Sequence, residues 1–107
     1  MTVAVREYLD ELGASPFAHW FKGLDPSAAA KVATALYRLE QGNFSRVESV
    51  GGGIYECKIH FGLGYRVYFG KDGEELVILL GGGSKKRQGA DISAALAHWQ
   101  EYKRRKR

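Results

Sequence analysis

Two alternating stretches carry the residues that could do chemistry. In 53–61, Glu56, Lys58 and His60 share one parity, and in 65–69 Arg66 and Tyr68 share one parity. If Gly62-Leu63-Gly64 is a simple three-residue hairpin loop, Phe61 faces Tyr65, His60 faces Arg66 and Lys58 faces Tyr68. One sheet face then gathers two cations, an imidazole, a phenol and a single carboxylate. A mixed polar face is also what any solvated sheet surface carries. The convergence of cations with an imidazole and a phenol points further, to an anion held by charge and a base stacked on the phenol. RNA cleavage needs a base for the 2′-hydroxyl, an acid for the 5′-oxygen and cations for the charge gathering on phosphorus. Arg66 suits the last role, because a guanidinium grips phosphate bidentately and stays charged. Lys58 or His60 suits the acid or base role, the imidazole needing the smaller pKa change. Lys85 and Lys86 follow the third strand and can close such a site from one side. On this reading Arg66 faces solvent, and Arg66→Ala should fold normally.

Other motifs carry less. Gly51-Gly52-Gly53 and Gly81-Gly82-Gly83 resemble phosphate-cradling loops only in composition, since neither opens a βαβ unit, and they read as turns or bulges. His19, His60 and His98 are scattered without metal-ligand spacing, so no metal site is expected, and no cofactor. Cys57 falls on the apolar parity and reads as a buried thiol. Trp20 and Trp99 read as core.

The elements that must position these residues follow from period and punctuation. Residues 2–9 favour a strand. Ser15-Pro16 is a helix-start signal ahead of Phe17, Trp20, Phe21 and Leu24, and Asp25-Pro26 opens a helix over about 26–41 with Ala29, Val32, Leu36 and Leu39 inward. Gly42-Asn43 stops it. Strands at 53–61, 65–69 and 75–80 form an antiparallel meander, which the glycine triplet 81–83 ends. Tyr55, Cys57, Ile59, Phe61, Tyr65, Val67 and Phe69 face the helices. Asp91 caps a last helix that buries Ile92, Ala95, Leu96 and Trp99 and runs into a ragged basic tail, 103–107.

The chain has 107 residues, 45% hydrophobic and 26% charged, as expected of one globular domain. No apolar run approaches a membrane span and no secretory leader is visible, while a single cysteine fits a reducing cytoplasm. The net charge of +4 is uneven: residues 81–107 hold eight Lys and Arg against Asp91 and Glu101, a net +6, leaving 1–80 at −2. Such asymmetry suggests a polyanionic partner, nucleic acid before acidic protein, or a solubilising tail.

The ordered segments Phe17-Ala18-His19-Trp20-Phe21, Leu36-Tyr37-Arg38-Leu39-Glu40-Gln41-Gly42-Asn43, Gly53-Ile54-Tyr55-Glu56-Cys57-Lys58-Ile59, Gly62-Leu63-Gly64-Tyr65-Arg66-Val67-Tyr68-Phe69 and Leu79-Leu80-Gly81-Gly82-Gly83-Ser84-Lys85-Lys86-Arg87-Gln88, with Asp91-Ile92, resemble the addiction-module killer proteins. These are the phage-derived, Gp49-like and HigB-like branch of the RelE/ParE toxin superfamily, and the likeness spans roughly residues 3–102. The resemblance implies an α+β, RelE-like fold with helices packed on one face of a small twisted antiparallel sheet. It implies a toxin neutralised by an antitoxin encoded beside it, itself a DNA-binding protein, and metal-free cleavage of mRNA, usually on the ribosome. The family's arginine in the Tyr-Arg strand maps onto Arg66, the basic residue of the preceding strand onto Lys58, and the one after the last strand onto Lys85 or Lys86. Arg66, Lys58, His60 and Lys86 are thus the expected catalytic set, with Lys85, Arg87, Tyr68 and Arg46 contacting RNA. RelE also uses a tyrosine near the start of its last helix; Ile92 stands there, so that role is absent or moved, with Tyr68 or His60 as the candidates to substitute. Two other functions suit the same fold: a ParE-like inhibitor of DNA gyrase, against which Lys58 and Arg66 argue, and a non-catalytic nucleic-acid-binding relative.

Overall fold

A computed structural model describes residues 2–106. Strand β1 (Ala4–Glu7) is followed by helices α1 (Pro16–Lys22) and α2 (Pro26–Glu40), strands β2 (Val47–Gly51), β3 (Ile54–Ile59), β4 (Tyr65–Lys71) and β5 (Leu76–Ser84), a 3-10 turn (Lys85–Arg87) and helix α3 (Gln88–Lys106). The two Pro-start helices begin as their sequences dictate. Ser15 Oγ accepts from the Ala18 amide at 3.0 Å and Asp25 Oδ1 from the Ala28 amide at 2.9 Å, each with proline at the first helical position. Glycine 42, at φ +81°, turns the chain out of α2.

The strands form one sheet in the order β1-β5-β4-β3-β2. The architecture is α+β and consistent with a RelE-like fold, and three particulars differ from the expected meander. First, β1 pairs with β5 in parallel, so the sheet is mixed. Second, β2 is an additional edge strand; its sequence, Val-Glu-Ser-Val-Gly, is short and mostly exposed and gives little periodic signal. Third, helices cover both faces. Val32, Leu39, Cys57, Val67, Phe69 and Leu79 pack with α1 and α2, whereas Ile54, Tyr68, Ile78, Leu80, Ala95 and Trp99 form a second core beneath α3.

The glycine triplet does not end β5. The strand continues to Ser84, with a bulge that sets Tyr68 opposite Gly81 and Phe69 opposite Leu79. The glycines are floors for side chains lying flat on the sheet. A Cβ on Gly82 would overlap the Trp20 indole, one on Gly70 the Trp99 indole, and one on Gly83 the Asp91 carboxylate.

The β3–β4 hairpin also corrects the expected register. Ile59, not Phe61, faces Tyr65, and the loop comprises residues 60–64. A two-residue slip preserves parity, so the apolar set keeps its face, but the polar partners change: Lys58 faces Arg66 and Glu56 faces Tyr68. His60 leaves the ladder and lies exposed in the loop.

At the C-terminus the chain is helical through Lys106 instead of ragged, and its start lies three residues before Asp91, which sits in the first turn and is not the cap. The last turn clasps the body: Tyr102 Oη donates to Asp72 Oδ2 at 2.6 Å, Lys106 Nζ reaches Asp72 Oδ1 at 2.6 Å, and Arg105 Nη2 donates to the Leu9 carbonyl at 2.5 Å. Asp72 is held below the ordinary carboxylate range by Lys106 and Tyr102. Residue 107 of the expected tail lies outside the described residues.

Candidate nucleic-acid site

Covering the second sheet face with α3 changes the character of the polar set. Glu56 is 1% exposed and Tyr68 is fully enclosed. Arg66, expected in solvent, keeps only 12% of its side chain exposed, and its Nε lies 3.4 Å from Glu56 Oε2. Gln88, the first residue of α3, donates from Nε2 to that same Glu56 oxygen at 2.6 Å. Asp91 comes down one turn later over Gly83, the cross-strand partner of Arg66. The result is a buried cluster of one guanidinium, two carboxylates, an amide and a phenol at the junction of β3, β4, β5 and α3.

This cluster is incompletely satisfied. Among the described residues Arg66 Nη1 and the Tyr68 hydroxyl are enclosed without a hydrogen-bond partner, and Arg66 Nε has only its long ion-pair contact with Glu56. Tyr68 is pushed well above the usual phenol range, first by burial and then by the Glu56 carboxylate, with Arg66 opposing, so its oxygen keeps its proton. Burial also raises the Asp91 carboxyl, against the nearby Arg87 charge. Chemically, the site offers unspent donors around a guanidinium, an arrangement suited to an anion once Glu56 gives way.

The remaining expected residues fall elsewhere. Lys58 faces Arg66 across the strands, but its ammonium is drawn to Glu48 on β2 at 3.1 Å. Lys85, Lys86 and Arg87 are all exposed on the 3-10 turn, whose first amide donates to the Gly64 carbonyl of the β3–β4 loop at 3.1 Å. They flank the Arg66 cluster from the side where β5 ends. His60 and Arg46 instead line a groove on the α2 flank together with Lys58. The structure therefore brings Arg66, Tyr68 and Glu56 together, places Lys85–Arg87 beside them, and separates His60 and Arg46 from them.

Sequence reasoning missed Gln88 and Asp91. One signal was available: a glycine opposite Arg66 in a strand otherwise rich in large residues marks a place where another group lies on the backbone. Cys57 is buried as expected, and burial pushes its thiol up to about 11 despite the neighbouring Arg46 charge.

Fold and site define a small α+β protein with a guarded arginine cluster at one end of its sheet. Residues 19–100 match the family described as phage-derived protein Gp49-like (DUF891). The chain belongs to this Gp49-like family, which is toxin–antitoxin related, and membership implies an antitoxin partner. An uncharacterized protein of Haemophilus influenzae is 46% identical over 74 residues, covering 69% of this chain and 75% of that protein. No helix among the described residues is long and apolar enough to cross a membrane.

Proposed function

We propose that this protein is the toxin of a toxin–antitoxin pair, of the HigB-like kind, and that it cleaves mRNA in the cytoplasm, on translating ribosomes, without a metal ion. The observation that carries the reading is an enclosed guanidinium, ion-paired to Glu56 yet with Nη1 and the neighbouring Tyr68 hydroxyl lacking a hydrogen-bond partner among the described residues, flanked by the exposed Lys85, Lys86 and Arg87. A scissile phosphate would satisfy those donors and displace Glu56 from Arg66. The guanidinium then stabilises the charge that builds on phosphorus as the 2′-oxygen attacks and the 5′-oxygen departs. Lys86 approaches from the 3-10 turn, and Lys58, the cross-strand partner of Arg66, takes the 2′-hydroxyl proton and returns it to the 5′-oxygen once it leaves Glu48. Tyr68, enclosed beneath α3 and held protonated, has no ring face open to a base and can act only as a hydrogen-bond donor. In the closed geometry the substrate must compete with Glu56, so engagement requires Gln88 and Asp91 to shift with the start of α3.

A second reading draws on one feature. Because Glu56 already occupies Arg66, the chain suits a relative that binds RNA without cutting it. One experiment separates the two: induce the wild type and Arg66→Lys, which keeps the charge, and map RNA 5′ ends in the cells. New ends that fall by about 10²–10³ in Arg66→Lys fit loss of one transition-state donor. Growth arrest by the wild type without new RNA ends, or equal cleavage by both proteins, overturns the endonuclease assignment.

A further inference from the structure

The β2–β3 edge of the sheet, beside α2, carries a second concentration of positive charge. Between α2 and the β2–β3 edge runs a groove of about 230 Å³ lined by Lys31, Thr34, Arg38, Arg46, Lys58 and His60. Arg38 and Arg46 also line an adjoining hollow of about 350 Å³, where Asn43 and Ser45 add polar atoms. Among the described residues no carboxylate side chain lines either space. Lys31, Arg38 and Arg46 are exposed, and among the described residues none of them forms an ion pair. Only Lys58 is neutralised, by Glu48.

The elements fix this arrangement. Lys31, Thr34 and Arg38 recur at i, i+3 and i+7, so they share one flank of α2 and span about 10 Å of its axis. Arg46 is held at the entrance to β2: Asn43 Oδ1 accepts from the Ser45 amide at 3.0 Å, and the Arg46 carbonyl accepts from the Lys58 amide at 3.1 Å. The concentration is not a by-product of composition, because residues 1–80 are net negative, yet of their acids only Glu48 pairs with a residue lining the groove, Lys58, among the described residues. Grouping unneutralised cations costs mutual repulsion, which a bound polyanion relieves.

We propose that this groove holds the phosphodiester backbone of single-stranded RNA, gripped by Lys31, Arg38 and Arg46 away from the Arg66 cluster. The inference deepens the RNA reading above and rests on it. An acidic protein segment is the other polyanion to consider. The lining argues against it: of the apolar side chains there, Ile59 and Cys57 are buried and Ala35 is small, and the nearby Phe61 ring is covered by the Lys31 ammonium at 5.6 Å, so little open apolar surface is left among the described lining residues to anchor a protein partner. A phosphate backbone needs only charge and hydrogen-bond donors, which two arginines, a lysine, Asn43 and Ser45 provide.

The test uses a fluorescent 12-nucleotide 2′-O-methyl RNA, which lacks the attacking hydroxyl and cannot be cut, and the full chain. Binding is followed by anisotropy across a salt series for the wild type, Arg38→Ala/Arg46→Ala, and a control that removes equal charge elsewhere, Arg6→Ala/Lys22→Ala. Because each phosphate contact contributes about 0.7 to the single-strand salt slope, the groove variant should lose about 1.4 and bind roughly tenfold or more weakly. The control should stay close to wild type, and thermal melts should be alike for all three proteins. RNA binding that is equal in wild type and groove variant overturns the groove while leaving the cleavage reading intact. Equal weakening in the control, or a groove that binds poly-glutamate in preference to RNA, also overturns it. Groove-dependent binding alongside absent cleavage in cells supports the groove and sinks the endonuclease assignment instead.

Discussion

Replacing Arg66 with alanine should unfold this protein more readily than a surface substitution would, and the reason lies in Glu56. The Glu56 carboxylate is 1% exposed, and its partners are Gln88 Nε2 at 2.6 Å and Arg66 Nε at 3.4 Å. Removing the guanidinium leaves a buried carboxylate with one neutral donor. Breaking a buried pair from one side costs about 3–5 kcal/mol, and the residual exposure of Arg66 together with the surviving Gln88 bond brings the expectation here to about 2–4 kcal/mol. For a chain near 100 residues that is a fall in Tm of roughly 10–20 °C. Glu56→Gln keeps shape and an acceptor for Gln88, and should cost roughly 1–2 kcal/mol. The double variant has neither charge, so it should be more stable than the sum of the singles predicts by at least about 1.5 kcal/mol. Urea denaturation of the four proteins at pH 7 measures all of these terms. If Arg66→Ala costs less than about 0.5 kcal/mol, or the two changes simply add, Arg66 is a solvated residue and the guarded-cluster reasoning is wrong. The outcome also governs how activity data are read, since loss of function in an Arg66→Ala strain then mixes chemistry with folding, and Arg66→Lys becomes the informative variant.

Gly70→Ala places a methyl group where the Trp99 indole lies and should destabilise by about 1–3 kcal/mol; in a Trp99→Ala background the same change should cost nothing in urea melts. Asp72, whose carboxyl is held low by Lys106 and Tyr102, contributes stability above the unfolded carboxylate pKa and loses it as pH falls through the lower folded value. Asp72→Asn should therefore melt below wild type at pH 7, with the gap closing towards pH 3. Cys57, with its thiol raised to about 11, should react with a thiol reagent at pH 8 roughly 100-fold more slowly in the folded protein than in urea, and equal rates would contradict its burial.

What the sequence made legible follows physical lines. Helices α1 and α2 could be read because Ser15-Pro16 and Asp25-Pro26 are local start signals backed by hydrogen bonds that need no tertiary partner. The faces of β3 and β4 could be read because parity survives a two-residue slip. Register could not, since the loop closes through the Phe61 and Gly64 amides on the Ile59 and Phe61 carbonyls, a choice among hairpin geometries of similar energy. The position of α3 was the larger gap. Its Ile92, Ala95, Leu96 and Trp99 stripe signals an apolar contact but not which face of the sheet supplies it. Once α3 lies over Tyr68, a face that looked solvated becomes an enclosed cluster, and Arg66 and Glu56 change roles together. Arg46 and His60 were legible as a cation and an imidazole and not as neighbours, because they meet α2 only through the long return from its end to β3.

The two indoles lying on Gly82 and Gly70 give the molecule a pair of optical channels, one on each side of the sheet. Trp20 sits in the α1 layer with its ring 5.9 Å from Phe17, and Trp99 stacks on Tyr102 at 5.3 Å beneath α3. A lifting of α3 as a unit, which would withdraw Gln88 and Asp91 from the cluster, takes Trp99 off its glycine and into water, shifting its emission, while Trp20 in the α1 layer serves as an internal reference. With only two tryptophans in the chain, Trp20→Phe isolates the moving channel without an added dye. The same glycines that let the sheet lie flush against its helices thus make the opening of the cluster visible in real time, whether an RNA, an antitoxin or heat supplies the push.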